Sequence, residues 1–474
     1  MSRTVLSARW VIGHQDGAHV IFENGCVVIE GTQILHVGPA FEGEAERIDY
    51  GEAILSPGFI DLDALSDLDT TILGYDNGPA WKKGRVWPQS YIDAGPYEMY
   101  SEEELAFQKR FAFAQLIRNG ITTALPIASL FYREWGETVT EFDAAAKAAD
   151  ELGLRAYLGP AYRTGGQVTD TAGNIRAVYD EMRGLQGLED AAAFARRIDG
   201  TAQGRIRAMF APDRIETCTE ALLQRTHAIA AEMGAPVRQH SCQSPTEIRL
   251  VQEQHGTTPI DWLDRIGAIG PNWLLPHGTH ASDRDFALMA QHGATLVHCP
   301  LVSARHGGLL RSFTAASERG INIGLGTDTW PPDMILNMQV GMMTGRIAES
   351  QAALTCAMMF DAATLGGARA LNRTDIGRLA PGACADITVI DLSRTLQTPD
   401  PIQTIMTSTS GHDVRDVWID GRRVMQDRQI PGIGDADYTR AQRQFDGLVA
   451  KYPDRTAGHP PVSEIFSPSY RKAT

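Results

Sequence analysis

The chain has 474 residues, of which 43% are hydrophobic and 21% are charged, and its formal net charge is -15. This length exceeds one small core and suits a barrel of ~250 residues or more with accessory structure. The negative net charge excludes nucleic acids and anionic membranes as partners, because binding to either needs basic patches on the protein.

The spacing of the cysteines and the length of the apolar runs indicate the cellular compartment of the protein. Six cysteines are scattered without paired spacing, which indicates reduced thiols instead of a disulfide framework. No window approaches the ~20 apolar residues of a membrane span, and no secretory-type apolar run follows the N-terminus. We therefore expect a cytoplasmic protein without a membrane contact. Many barrel enzymes of this size self-associate, so a homo-oligomer stays open.

Both ends of the chain show short apolar runs separated by turn residues, which is typical of β-hairpins. The runs cover residues 5–12, 27–30 and 34–37 at one end, and 385–390 and 414–421 at the other. We predict one composite β-sandwich domain from residues 1–56 and 376–433. The remaining tail, residues 434–474, is predicted to hold one helix, over 438–452.

The middle of the chain, residues 57–375, alternates short apolar strands with helical stretches such as 103–118 and 219–233. This alternation favours a parallel α/β architecture, and eight strands fit a closed (β/α)8 TIM-type barrel. The predicted strands cover residues 59–61, 120–126, 154–159, 206–210, 236–240, 273–277, 295–298 and 321–325.

One stretch of the barrel region, residues 68–100, is long for a loop between a strand and a helix. It carries five aromatic residues: Tyr75, Trp81, Trp87, Tyr91 and Tyr97. Long loops of this kind either close over a substrate or run over the surface, so a lid and a plain surface excursion both stay open.

Groups able to bind a metal end several predicted strands. His240 ends the fifth strand, His277 the sixth and His298 the seventh, and Asp328 follows the eighth. The carboxyl ends of barrel strands meet on one face, where the chemistry of such barrels takes place. These side chains therefore predict a shared active site.

Several segments together resemble the amidohydrolase superfamily, in its cytosine deaminase and triazine hydrolase branch. The resemblance spans nearly the whole chain and implies a barrel that hydrolyses C–N bonds with metal-activated water. It rests on residues 57–65, 275–280, 283–293, 297–300, 324–328, 361–371, 377–382 and 385–386.

The first departure from that family lies at the end of the first strand. The family has His-x-His there, and both imidazoles bind metal, whereas this chain has Asp63 and Leu65. A carboxylate oxygen is a good ligand for zinc, manganese or iron, but Leu65 cannot ligate anything. The predicted ligand set is Asp63, His240, His277 and Asp328. Alternatively, Asp63 pairs with Arg238, which shares a strand face with His240.

The second departure is Gln243, three residues after His240. The deaminase branch commonly has Glu at this position, where it moves a proton to the ring nitrogen and to the leaving ammonia. Glutamine cannot transfer a proton at neutral pH, although it can donate and accept hydrogen bonds. Glu247 is a substitute if a helix presents it; otherwise it is a solvated helix residue.

The count of lysines limits the number of metal ions. Binuclear relatives bridge their metals with a carboxylated Lys on the fourth strand, and this chain has no Lys between Lys147 and Lys451. We therefore expect one divalent ion, zinc first, with iron, manganese or cobalt as alternatives, or no metal at all.

Roles can be assigned on this basis. Asp328 is the predicted base, since a carboxylate can take a proton from metal-activated water and pass it to a leaving nitrogen. His277, His280 or His298 can hold the substrate carbonyl or the developing oxyanion. Trp330 and Arg163 are expected to shape a substrate pocket that also includes Gln243. Loop packing and a surface ion pair are the plainer interpretations of Trp330 and Arg163.

Three functions are compatible with these residues. In each of them the partner is a small molecule, and none involves a nucleic acid or a membrane. The first is a single-metal hydrolase of an amide, urea or carbamate bond in a non-peptide substrate, because attack on an open carbonyl does not need a ring-protonating Glu. The second is a deaminase of an aminated heterocycle or cyclic amidine. The third is a metal-free binding protein in which Arg238 and Asp63 fill the metal position.

Overall fold

The computed structural model describes residues 3–68, 86–349, 353–471 and 473. Tyr75 and Trp81 of the predicted lid lie outside these residues. Among the described helices, none is long and apolar enough to cross a bilayer.

Eight short parallel strands form the barrel, in two sheets of four. A bridge between Phe210 and Val237 joins the two sheets, and the backbone N–H of Asp328 donates to the carbonyl of Asp63 at 2.8 Å on the other side. In chain order the strands are Phe59–Leu65, Ile121–Ile127, Arg155–Leu158, Ile206–Ala208, Val237–Arg238, Trp273–Pro276, Thr295–His298 and Ile323–Leu325. The predicted barrel is confirmed.

Helices follow the strands and cover the barrel. Several begin with a Ser, Thr or Asp whose side chain accepts a backbone N–H, as at Ser244 and Ser282. The α-helices are Gln89–Ala94, Glu102–Arg118, Val139–Leu152, Glu181–Ile198, Glu220–Met233, Pro245–His255, Pro259–Arg265, Asp283–His292, Pro300–Arg305, Phe313–Glu318, Met334–Glu349, Cys356–Asp361, Gly367–Ala370, Pro401–Ser408, Asp435–Lys451 and Val462–Ile465.

The β-sandwich is built from both ends of the chain, as predicted. Its core includes Leu6, Val27, Leu55 and Val389, all fully buried. The strands are Arg3–Gln15, Ala18–Glu30, Gln33–Gly38, Glu46–Asp49, Ala53–Pro57, Ile387–Asp391, Val414–Ile419 and Arg422–Met425. Ala53–Pro57 pairs antiparallel with Ile387–Asp391, which joins the two ends of the chain directly.

A small hairpin that the sequence did not predict lies above the barrel. Gly165–Thr169 pairs with Ile175–Tyr179, and the carboxylate of Asp170 holds the turn by accepting the N–H groups of Ala172 and Asn174. Trp87–Pro88 adds a third strand. Gln167 of this hairpin lines the cavity described below, as do Arg163 and Asp213, which follow the short paired strands Ala161–Tyr162 and Ala211–Pro212.

Candidate active site

Four buried side chains converge at the carboxyl ends of the barrel strands. They are Asp63, His240, His277 and Asp328, the four ligands that the sequence predicted. One donor atom from each lies within 4.8 Å of the others. They come from the first, fifth, sixth and eighth strands, so only the closed barrel brings them together.

Backbone conformation helps to aim two of these side chains. His277 has φ 79° and Asp328 has φ 41°, both in the left-handed region that residues other than glycine rarely adopt. Such conformations cost roughly 1–3 kcal/mol each, and they persist where surrounding structure imposes them, often at functional sites. Gly278 follows His277, also with positive φ, which lets the chain turn sharply at the strand end.

The distances within the cluster suit a metal ion. His240 Nε2 lies 3.5 Å from Asp63 Oδ2, and His277 Nε2 lies 3.6 Å from Asp328 Oδ2. A tetrahedral site with metal–ligand bonds of about 2.1 Å has ligand–ligand edges of about 3.4 Å. Two imidazole nitrogens and two carboxylate oxygens are also a donor set that zinc accepts. The cluster can therefore hold a divalent metal.

Arg238 introduces a second cation next to this cluster. Its Nη1 lies 2.5 Å from Asp63 Oδ1, and both side chains are fully buried. Asp63 Oδ1 is thus engaged by the guanidinium, whereas Oδ2 remains directed at His240 and lies 3.7 Å from the Sγ of Cys299. The pairing of Asp63 with Arg238 and the convergence of Asp63 with the other donors coexist in one structure.

Charge balance explains how the pair fits a metal site. Burial alone would raise the pKa of Asp63, but the charges of His240 and Arg238 outweigh it and hold the pKa well below its usual range. Asp63 is therefore ionised. An ionised Asp63 with a cationic Arg238 adds no net charge to the cluster.

Asp61 locks the first strand to the eighth below the cluster. It accepts hydrogen bonds from the Thr327 hydroxyl at 2.6 Å and the Thr327 backbone N–H at 3.0 Å. Burial raises the pKa of Asp61 to about 7 despite these bonds. The bonds fix the backbone on which Asp63 and Asp328 stand.

A cavity opens above the cluster. It contains about 480 Å³ of empty space, part of which is open to solvent, and it reaches His240 and Asp328. Leu65 lines it next to these residues, so the wall is apolar at that point. The polar groups that line the rest are Ser129, Arg163, Gln167, Asp213, Arg214 and Thr217.

Five of these groups were not anticipated from the sequence: Ser129, Gln167, Asp213, Arg214 and Thr217. They follow the second, third and fourth strands at the same end of the barrel as the predicted ligands. The rule that chemistry collects at strand carboxyl ends would have pointed to them, had every polar residue after every strand been considered.

The predicted substrate residues lie in different places. Arg163 lines the cavity, whereas Gln243 and His280 line a separate depression with His306. His298 is buried with its ring 5.7 Å from that of Phe313, and burial lowers its pKa to about 3. Trp330 stacks on Phe111 at 5.9 Å.

Glu247 has a positioning role. Its carboxylate is fully buried and accepts the backbone N–H groups of Cys242 at 2.5 Å and Gln243 at 2.7 Å. It thereby fixes the loop that follows His240. Glu247 is absent from the cavity lining. The geometry therefore does not support Glu247 as the proton carrier in place of Gln243.

Comparison with known proteins decides the family. The model of the amidohydrolase family matches residues 54–424. The chain belongs to the amidohydrolase family. It is accordingly a hydrolase that acts on carbon–nitrogen bonds.

Individual relatives are distant but match over nearly their full length. A 5-methylthioadenosine/S-adenosylhomocysteine deaminase from Natronomonas pharaonis is 26% identical, covering 89% of this chain and 93% of the relative. A 5'-deoxyadenosine deaminase from Methanosarcina mazei is also 26% identical, over 90% of this chain and 94% of the relative.

Solved structures share the fold. An adenosine deaminase from Xanthomonas campestris with bound zinc superposes with a TM-score of 0.76 at 21% identity, covering 94% of this chain and 98% of that one. Atrazine chlorohydrolase TrzN from Arthrobacter aurescens TC1, complexed with zinc, also gives 0.76, at 17% identity and 93% and 100% coverage.

Proposed function

We propose that the chain is a metal-dependent hydrolytic deaminase of a small aminated nitrogen heterocycle. The observation that carries this proposal is the convergence of Asp63, His240, His277 and Asp328 on one point beside a cavity. The relatives support the substrate class, since those at 26% identity are named as deaminases of adenosine derivatives. The comparisons thus favour deamination over the amide, urea or carbamate hydrolysis that the sequence favoured.

The residues of the cluster divide the work. Asp63 through Oδ2, His240, His277 and Asp328 would hold the ion, which we propose to be one zinc. When bound, a divalent ion supplies Lewis acidity and lowers the pKa of water towards ~7. Asp328 reaches the cavity, so its carboxylate is placed to accept the proton of attacking water and deliver it to the leaving amino group. His277 Nε2 lies 3.6 Å from Asp328 Oδ2, a separation that suits two ligands of one ion.

Ring protonation needs a carrier other than Gln243. The side chain of Gln243 cannot transfer a proton, and the carboxylate of Glu247 is directed at backbone N–H groups. Asp328 is the titratable carboxylate of the cluster that lines the cavity, whereas the imidazoles would be occupied as ligands of the ion. We therefore assign proton transfer to Asp328.

Gln243 favours a second candidate, hydrolysis of an amide, urea or carbamate. Attack on an open carbonyl needs no protonated ring nitrogen, so the missing Glu has no consequence for that reaction. Arg238 favours the third candidate, a metal-free binding protein, since a guanidinium already pairs with Asp63.

One set of experiments separates the three. The protein is purified without chelator, its metals are measured by mass spectrometry, and ammonia release is recorded with pterins, purines, pyrimidines and triazines, and with linear amides and ureas. The deaminase proposal expects about one metal per chain and ammonia from heterocycles only. Turnover of amides or ureas alone would establish the second candidate. Protein without metal and without turnover, after growth in zinc, manganese, iron or cobalt, would establish the third.

A further inference from the structure

The guanidinium of Arg163 lies in the cavity wall beside two indole rings. Its Cζ is 4.7 Å from the ring centre of Trp87 and 5.3 Å from that of Trp135. Both rings are fixed: Trp87 Nε1 donates to the Phe131 carbonyl at 3.0 Å, and Trp135 Nε1 donates to the carbonyl of Arg163 at 2.9 Å. The rings leave the N–H edge of the guanidinium for polar contacts.

This guanidinium has few hydrogen bonds for a buried cation. The side chain is 6% exposed, and among the described residues its hydrogen bonding consists of Nη2 donating to the Leu130 carbonyl at 3.3 Å. Its Nε has no partner in that part of the chain. The Asp213 carboxylate lies 3.8 Å from Nη1, which is beyond hydrogen-bond distance. Buried charges are normally paired and hydrogen-bonded, so an anion from outside the chain would complete this geometry.

The Asp213 carboxylate offsets only part of the positive charge here, because two further guanidinium groups lie nearby. Arg214 lines the same cavity, and its charge acts on the buried carboxylates of Glu216 and Glu247. Arg455 repels Arg163. Burial lowers the pKa of Arg163 to about 10, with Asp213 opposing the change, so the side chain stays protonated at neutral pH.

We propose that Arg163 is a carboxylate-binding subsite and that the substrate is an aminated heterocycle bearing a carboxylate. This inference rests on the proposed deaminase function. A single planar guanidinium edge matches a planar carboxylate in two parallel hydrogen bonds. The cavity that Arg163 lines also reaches His240 and Asp328, so the proposed subsite and the cluster face the same space.

The test uses matched substrate pairs: pterin with pterin-6-carboxylate, and cytosine with cytosine-5-carboxylate. Wild type is compared with Arg163→Met, which removes the charge, and with Arg163→Lys, which keeps the charge but not the two-pronged edge. Arg183→Met is the matched control, because the Arg183 guanidinium also lies 5.3 Å from the Trp135 ring but is 42% exposed and pairs with Glu134.

The expected result is a preference of wild type for the carboxylated member of each pair. Arg163→Met should raise KM for that member about 10- to 100-fold, the range expected for charge-assisted hydrogen bonds, and leave KM for the uncharged member unchanged. Arg163→Lys should lie between, and Arg183→Met should match wild type. Circular dichroism and metal content, equal in all variants, exclude misfolding and loss of the metal as the cause.

Calorimetric titration of the same compounds separates this inference from the deaminase proposal. Binding of pterin-6-carboxylate that depends on Arg163, without ammonia release, would refute the deaminase proposal and keep the subsite. Ammonia release that Arg163→Met lowers equally for both members of a pair would refute the subsite and keep the deaminase. The subsite is also refuted when no carboxylated compound binds wild type more tightly than its uncharged partner.

Discussion

Arg238 and Asp63 form an ion pair at the centre of the barrel, with 2.5 Å between Nη1 and Oδ1 and no exposed surface on either side chain. Asp63 also lies 3.5 Å from His240, so the same carboxylate serves the pair and the cluster. The pair therefore links the stability of the barrel to the state of the candidate metal site.

The first prediction concerns this pair. Arg238→Met should destabilise the protein by about 3–5 kcal/mol, because it leaves the buried Asp63 charge without its partner. The double variant Asp63→Asn with Arg238→Met should be less destabilised than Arg238→Met alone. Urea unfolding followed by circular dichroism measures both.

The control for the first prediction is a surface pair. Arg3→Met removes an ion pair with Glu30 whose side chains are 40% and 32% exposed, and it should cost less than about 1 kcal/mol. Equal losses in Arg238→Met and Arg3→Met would contradict the assigned role of the buried pair.

The second prediction concerns Asp328. Asp328→Asn keeps the shape of the side chain but cannot carry a proton, so activity should fall about 100-fold or more. Metal content should fall as well, since an amide oxygen is a weaker ligand than a carboxylate. Metal analysis and ammonia release measure the two effects, with the exposed Asp283→Asn as control. Full activity in Asp328→Asn would refute the assignment.

The third prediction is a pH dependence from His298. Because burial lowers its pKa to about 3, the unfolded chain binds a proton between pH ~6.5 and ~3 that the native protein does not. Stability from this residue is therefore present above pH ~6.5 and lost as pH falls, by up to about 1.4 kcal/mol per pH unit. His298→Gln should flatten that slope in urea unfolding at about pH 7, 6 and 5.

The exposed His412→Gln serves as the control for His298, and its slope should match that of wild type. Parallel acid profiles for wild type and His298→Gln would show that the buried imidazole does not determine acid stability.

The fourth prediction concerns Glu247. An amide can accept only one of the two backbone N–H groups, from Cys242 and Gln243, that the carboxylate accepts now. Glu247→Gln should therefore cost about 1–3 kcal/mol, and Glu247→Ala more, because buried donors lose their acceptor. Glu253→Gln, on the same helix with a side chain that is 57% exposed, is the control. A Glu247→Gln variant that is less stable than Glu247→Ala would contradict this account.

The sequence predicted the barrel and three of the four converging residues from local patterns, whereas Asp63 came from the resemblance to the amidohydrolase superfamily, and His298, named by the same patterns, lies outside the cluster. Apolar runs place the strands, and strand ends place His240, His277 and Asp328 on one face. The position of Arg238 on the same strand face as His240 also predicted that Arg238 could pair with Asp63. The structure contains this ion pair. What it left open was whether that pairing excludes the cluster, since this depends on which oxygen each neighbour approaches.

The cavity walls were less accessible to sequence reasoning. Trp330 packs against Phe111, and Gln243 is placed by Glu247, so long-range packing and a loop hydrogen bond decide where these side chains lie. The spacing of residues along the chain indicates neither the packing of Trp330 on Phe111 nor the hydrogen bond between Gln243 and Glu247. The hairpin that carries Gln167 has the same origin, because its third strand, Trp87–Pro88, is remote in sequence.

The ion pair at the barrel centre restricts the substitutions that this interior can accept. Replacing Asp63 by histidine alone would set an imidazole against the Arg238 guanidinium, and replacing Arg238 alone would leave a carboxylate unpaired in the interior. Each single change leads to a less stable protein, so exchange of the pair for other residues requires two coordinated substitutions.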